Sequence, residues 1–208
     1  MGTTKLARKW RKQQAVNLYV ALLRAINVGG NNLIPMPELK VCFEAQGFRD
    51  VMTYIQSGNV LFRTTRRSNH PAFAQGIEQS LSQTFTYRAC VVVRSFEQMR
   101  AVVDTAPKGF GRLSALHRYD VIFLKEPLTA AEALKSMTAK PGVDRLSAGD
   151  GVLYASRLIS RAAQSHLSRV VGKPIYQSMT IRSWNTTRKL LELMERIRTA
   201  PGNQTSTG

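Results

Sequence analysis

Residues 18–33, LYVALLRAINVGGNNL, decide how the rest of the chain is read. Leu18 to Leu23 is an apolar run of strand length, read as a strand buried within its sheet. It reaches the sheet edge at Arg24 and spills into a loop holding Asn27, Gly29-Gly30 and Asn31-Asn32. A second turn of the same chemistry, Gln56-Ser57-Gly58-Asn59, joins strand 51–55 to a strand beginning at Val60, which makes a hairpin.

Working outward, Pro35-Met36-Pro37 opens a helix, because the first turn has no use for the N–H that proline lacks. Leu39, Cys42, Phe43 and Gln46 share its face, and Gly47 ends it. Phe73, Ile77 and Leu81 recur at helical spacing over 72–81, and 87–93 reads as a β-branched strand. Strand, helix, strand, strand, helix, strand is the split βαβ order of ferredoxin-like domains.

Ser95 caps a further helix over 96–103, and a loop with two glycines, 109–117, follows. The six elements then recur: strand 119–124, helix 129–137, strands 143–146 and 152–155 about Gly149-Asp150-Gly151, helix 161–170 and strand 178–182. The expected class is therefore α+β, two ferredoxin-like (β-α-β-β-α-β) halves by apparent duplication, plus linker and C-terminal helices, although no residue-level repeat is visible. The expected boundaries are a basic tail at 1–17, a first half at 18–94, a linker at 95–118, a second half with a C-terminal helix at 119–198, and a frayed tail at 199–208.

Chain direction in this topology carries the exit of the first strand and the tip of the first hairpin to one end of the sheet, a few strand spacings of about 4.8 Å apart. Arg24, Asn27, Gly29, Gly30, Asn31, Asn32, Gln56, Ser57, Gly58 and Asn59 thus form a donor-rich candidate site. Glycine pairs let a backbone approach a ligand and turn successive N–H groups toward an anion. The expected ligand is small and anionic or nucleotide-like, with no general base in the set. Neither stretch matches a phosphate-loop or dinucleotide fingerprint.

YVALLRAINVGGNN, TYIQSGNVLF and TIRSWNTTRKLLEL, in this order and at these separations, resemble the bacterial family called domain of unknown function 1697. The likeness runs from Leu18 to Arg198. It implies two ferredoxin-like halves and a biochemical role that is not established. The family pattern usually has glycine where Ala25 stands and asparagine where Ser183 stands, so this chain has less backbone freedom beside Arg24 and a shorter donor before Trp184. In the third motif Arg182 is a candidate phosphate clamp, Trp184 a stacking platform or core plug, and Asn185 or Thr186 a helix cap.

Composition bounds the alternatives. The net charge is +17, and residues 1–17 carry five bases and no acid. Such a surface attracts phosphate, so a nucleic-acid module using the basic surface and the tail competes with the small-ligand reading, and a partner-binding protein without a ligand is the third. Tyr54, Phe62, Tyr87 and Phe123 do not make a ribonucleoprotein signature. No segment approaches the roughly 20 apolar residues of a membrane span, and Cys42 and Cys90 read as structural thiols of a cytoplasmic protein. His70, His117 and His166 have no nucleophile or metal-ligand partners at useful spacing, so no metal, no cofactor and no reaction are read from the sequence.

Overall fold

The computed structural model of the chain describes residues 16–27, 32–66 and 71–199. Gly29, Gly30, Asn31, His70, residues 1–15 of the basic tail and residues 200–208 lie outside the described residues. The described chain combines helices with two four-stranded antiparallel sheets. The first contains β1 (Asn17–Leu23), β2 (Arg49–Tyr54), β3 (Asn59–Thr64) and β4 (Val91–Ser95) in the order β2-β3-β1-β4. Helix α1 (Met36–Glu44) precedes β2, and α2 (Pro71–Thr84) precedes β4. The second sheet contains β5 (His117–Leu124), β6 (Asp144–Gly149), β7 (Val152–Leu158) and β8 (Met179–Ser183) in the matching order β6-β7-β5-β8, with α4 (Ala130–Ser136) before β6. Helix α3 (Phe96–Asp104) joins the halves, and α5 (Trp184–Thr199) follows β8.

The unbroken apolar run of β1 follows from burial on both faces. Leu18, Val20 and Leu22 enter a central core with Val121, Phe123, Val152 and Tyr154 of the other sheet. Tyr19, Ala21 and Leu23 enter an outer core under α1 and α2. Phe96, Met99 and Val102 of α3 and Leu190, Leu191 and Met194 of α5 fill the central core between the sheets, while Ala133 and Val170 help to cover the far side of the second. Both faces of both sheets are therefore packed, and Phe62 and Phe123 are buried, so neither sheet offers the open aromatic face on which single-stranded RNA stacks. Among the described residues no helix is long and apolar enough to cross a membrane.

The two halves are latched alike. Leu23 N–H donates to Gly58 O at 2.8 Å and Leu124 N–H to Gly151 O at 3.0 Å. Arg24 N–H donates to Cys90 O at 2.9 Å and Lys125 N–H to Ser178 O at 2.8 Å. Across the joint, Arg94 of β4 donates to Leu124 O and Gly151 O, and Arg182 of β8 donates to Leu23 O, Ser57 O and Gly58 O. The short repeat Val93-Arg94-Ser95-Phe96 and Ile181-Arg182-Ser183-Trp184 thus has one physical meaning: the arginine closes the opposite hairpin, and the serine hydroxyl caps the next helix through Gln98 N–H or Thr186 N–H.

Three local expectations are corrected. Residues 87–90 precede β4 rather than belong to it, since β1 pairs only with 91–95 and the Ala89 N–H is taken by Ser82 Oγ. The helix expected over 161–170 is instead a chain of 3-10 turns, Ile159–Gln164, Leu167–Gly172 and Pro174–Ser178. Buried Asp144 accepts from Ser165 Oγ and from His166 N–H, drawing donors that a continuous helix would need. The cap of α5 is Ser183, not Asn185 or Thr186.

Candidate functional site

The two donor-rich segments do meet. Asn27 Nδ2 donates to Gln56 O at 3.0 Å, and the β1 exit is bonded to the hairpin tip at Gly58. The asparagine side chains described there, however, are spent on the protein. Asn27 also donates to Ile34 O and accepts from Ile34 N–H, and Asn32 Nδ2 donates to Ala25 O. Asn59, fully buried, donates to Tyr54 O and Ser57 Oγ and accepts from Arg182 Nε at 2.6 Å. Gly58 is required by packing rather than by a ligand: at φ +75° its missing Cβ would lie 2.6 Å from Ile26 Cδ1.

Arg182 is 6% exposed, and its remaining N–H groups go to Thr180 Oγ1 and Ile181 O. Burial pulls its pKa down to about 10, which leaves it protonated at neutral pH. With every donor matched by a protein oxygen, Arg182 has nothing left for a phosphate. The clamp expected of it is replaced by a pin that holds the second half to the first. Arg24 differs: its Nε is buried with no acceptor.

Unspent donors gather at the opposite end of the second sheet, around the start of α5. There a cleft of about 420 Å³ is bounded by Gly111, His117, Arg118, Arg157, Trp184 and Asn185. The two helices packed near it differ in length. Sixteen-residue α5 runs past its start-point counterpart, so that Arg198 lies 4.4 Å over the Phe96 ring and Ile197 O is held by Arg63. Nine-residue α3 stops short, leaving only the 109–116 loop beside Trp184. Phe110 meets the indole edge-on at 5.1 Å, and Gly111 approaches so closely that a Cβ would lie 2.3 Å from Trp184 Nε1. Trp184 is thus a wall of the cleft and part of the core, not a free stacking face.

The charged residues that line the cleft are both arginines, although Asp120 pairs with one and Asp144 stands opposite the other in the β6–β7 ladder. Arg118 and Arg157 stand directly opposite each other in the β5–β7 ladder, an arrangement that repels unless something negative lies between or beside them. Arg118 is paired with Asp120 at 3.1 Å; Arg157 has no ion pair among the described residues. No aspartate or glutamate lines the space. The N-terminus of α5 adds partial positive charge, and Asn185 and the Trp184 indole N–H have no acceptor among the described residues. His117 Nδ1 is likewise buried without a partner. Of the expected site residues, Trp184 and Asn185 line this cleft, Ser57, Gly58, Asn59 and Arg182 belong to the joint between the halves, and Asn27, Asn32 and the Gln56 carbonyl are bonded within the first half. Sequence reasoning missed His117, Arg118 and Arg157. The available signal was compositional: from Gly151 to Leu191 there are seven lysines and arginines and no acid. Among the described residues no group of three acids, histidines or cysteines is arranged to hold a metal.

A family model described as "Protein of unknown function (DUF1697)" matches residues 16–154. The comparison with curated proteins finds no match. Among solved structures, that of a conserved bacterial protein from Streptococcus pneumoniae is similar, with a TM-score of 0.74 and 24% identity over 86% of this chain and 99% of that one. At that identity the likeness speaks for the fold.

Proposed function

The chain belongs to the DUF1697 family of proteins of unknown function, and from that premise we propose that it binds a small anionic, nucleotide-like ligand in the cleft beside Trp184. The observation that carries this reading is a lining that holds Arg118, Arg157 and Asn185 beside Trp184 and no carboxylate. A buried or half-buried cation without a partner gains most from an anion that brings several acceptors at once. Arg118 and Arg157 would take the anionic group, the first turn of α5 would add N–H donors, and Ile159 with the Trp184 edge would flank an apolar ring. The hairpin tip Ser57–Asn59, held by Arg182, then serves as the joint to the second sheet and not as the ligand site.

We further infer that residues 18–94 and 119–198 are ferredoxin-like halves related by duplication, with 95–118 between them. The matching strand orders and the two Arg-Ser pairs support this. In that reading the cleft is the end of one repeat that its own chain leaves open.

The test is calorimetric titration of the full chain with nucleoside mono-, di- and triphosphates and with sugar phosphates. Binding by at least one of these, weakened about tenfold or more in Arg157→Ala without loss of folding, is the expected result. No heat from any of them, or equal affinity in Arg157→Ala, would overturn the assignment of the cleft.

A further inference from the structure

One end of the first sheet collects arginines. Strands β1 and β2 begin there, β3 ends there, and β4 ends there as α3 starts. Arg49 faces Arg63 across the β2–β3 ladder, and Arg63 faces Leu18 across β1–β3. Arg63 donates to Ile197 O, which brings in the last turn of α5 with Arg198. Arg198 and Arg100 lie 4.4 and 4.6 Å over the same Phe96 ring. Their guanidinium carbons are therefore no more than about 9 Å apart, inside the screening length of roughly 10 Å at 0.1 M salt. Arg66, whose N–H is held by Thr64 Oγ1, lies 5.7 Å over the Phe48 ring.

Part of this charge serves the fold. Arg63 pairs with Asp50, and Arg198 suits the C-terminal end of a helix dipole. Other acids nearby are engaged elsewhere: Glu97 accepts from Ser95 Oγ, and Glu192 and Glu195 line a groove with Arg188 and Lys189. Exposed Arg49, Arg66, Arg100 and Arg198 have no ion pair among the described residues. Self-repulsion of this kind costs the folded state, and an external polyanion relieves it. The same end receives the basic tail, because Val16 leads into Asn17, which pairs with Thr64. Residues 1–15 carry Lys5, Arg8, Lys9, Arg11 and Lys12 and no acid. Four residues of chain reach at most about 14 Å, so Lys12 stays within that distance of Val16 and adds to the same field.

We propose that this end of the first sheet and the basic segment entering it form a docking surface for double-stranded nucleic acid, held through its phosphates without regard to sequence. The charge is complementary, and Arg49, Arg63, Arg66, Arg100 and Arg198 offer the fork that matches phosphate oxygens. A single strand asks for aromatic faces to stack on, whereas Phe48 and Phe96 are buried beneath their arginines. The same burial argues against a membrane, whose surface binders set apolar side chains beside their charges. The surface lies at the C-terminal end of α5 and the Trp184 cleft at its N-terminal end, so the two proposals stand or fall separately.

The experiment is fluorescence anisotropy of a labelled mixed-sequence DNA duplex titrated with the full chain between 50 and 200 mM salt. With about six phosphates neutralised, affinity should fall about a thousandfold over that range. Arg49→Gln with Arg66→Gln, and Arg100→Gln with Arg198→Gln, should each flatten the slope of log affinity against log salt by about 2, whatever the sequence of the duplex. Replacing the five bases of residues 1–15 by glutamine should flatten it as well, and Arg157→Ala should leave it unchanged. The first pair is exposed, so it reads the surface even if the pair packed on Phe96 folds poorly. The proposal is overturned if no duplex binds at 50 mM salt, if the Arg49/Arg66 pair keeps the wild-type slope, if a single strand of equal length binds more tightly, or if vesicles containing phosphatidylserine bind more tightly per phosphate than the duplex.

Discussion

Replacing Arg182 with methionine keeps much of the side-chain volume and removes every donor. Its acceptors across the joint are Leu23 O, Ser57 O, Gly58 O and Asn59 Oδ1. Gly58 O keeps its bond from Leu23 N–H, and Leu23 O keeps a long contact with Thr180 Oγ1, so Ser57 O and Asn59 Oδ1 are the acceptors stripped of their recorded partner. At about 1–3 kcal/mol for each buried acceptor left empty, and with the desolvation of a buried guanidinium recovered, the net loss is about 3 kcal/mol. With a urea m-value of about 2 kcal/mol/M, the unfolding midpoint falls by about 1.5 M. Thermal unfolding should shift down by about 6–12 °C. Arg94→Met should cost less, because only Leu124 O is stripped: Gly151 O retains Leu124 N–H. Arg182→Met unfolding within about 1 kcal/mol of the wild type at unchanged m, or Arg94→Met proving the more damaging, would refute the pin.

Ala25 sits at φ +54°, a region where a Cβ costs about 1 kcal/mol, so Ala25→Gly should raise stability by about 0.5 kcal/mol once the freer unfolded chain is counted; chemical denaturation reads this directly. Gly111→Ala should drive the new methyl into the Trp184 indole and lose about 2 kcal/mol or more, with a red shift of Trp184 emission in a Trp10→Phe background. Asp144 is raised by burial but lowered more by the Lys140 N–H, Ser165 hydroxyl and His166 N–H, for a net pKa below the usual aspartate value. A carboxylate depressed in the folded state gives stability that is present above the ordinary aspartate range and is lost as pH falls through its own lower pKa. Urea midpoints should therefore hold near neutrality and drop below about pH 4, and Asp144→Asn should flatten part of that acid limb.

The architecture was legible where burial writes itself into composition. The β1 run, the Ser57-Gly58 turn and the capping serine at 95 were readable because each needs particular residues locally. The 3-10 stretch was misread because Val170 and its neighbours keep a helical rhythm, while the competing acceptor, Asp144, lies some twenty residues away. The two loops were correctly brought together, yet asparagine donors look the same in sequence whether a ligand or a carbonyl receives them. Asn27 and Asn59 turned out to serve carbonyls. The cleft draws on segments near 111, 118, 157 and 184, and no short motif can announce such a space. The Arg-Ser pair at 94–95 and 182–183 is too brief to stand out as a repeat until its hydrogen bonds give it meaning.

Because each half supplies the arginine that seals the other, the two are not separable merchandise of evolution. A gene fragment encoding one half would yield a hairpin tip with bare carbonyls and a guanidinium with no destination, so truncation should produce insoluble product instead of a smaller working protein. The pair is the least that can be inherited, expressed or grafted as a whole.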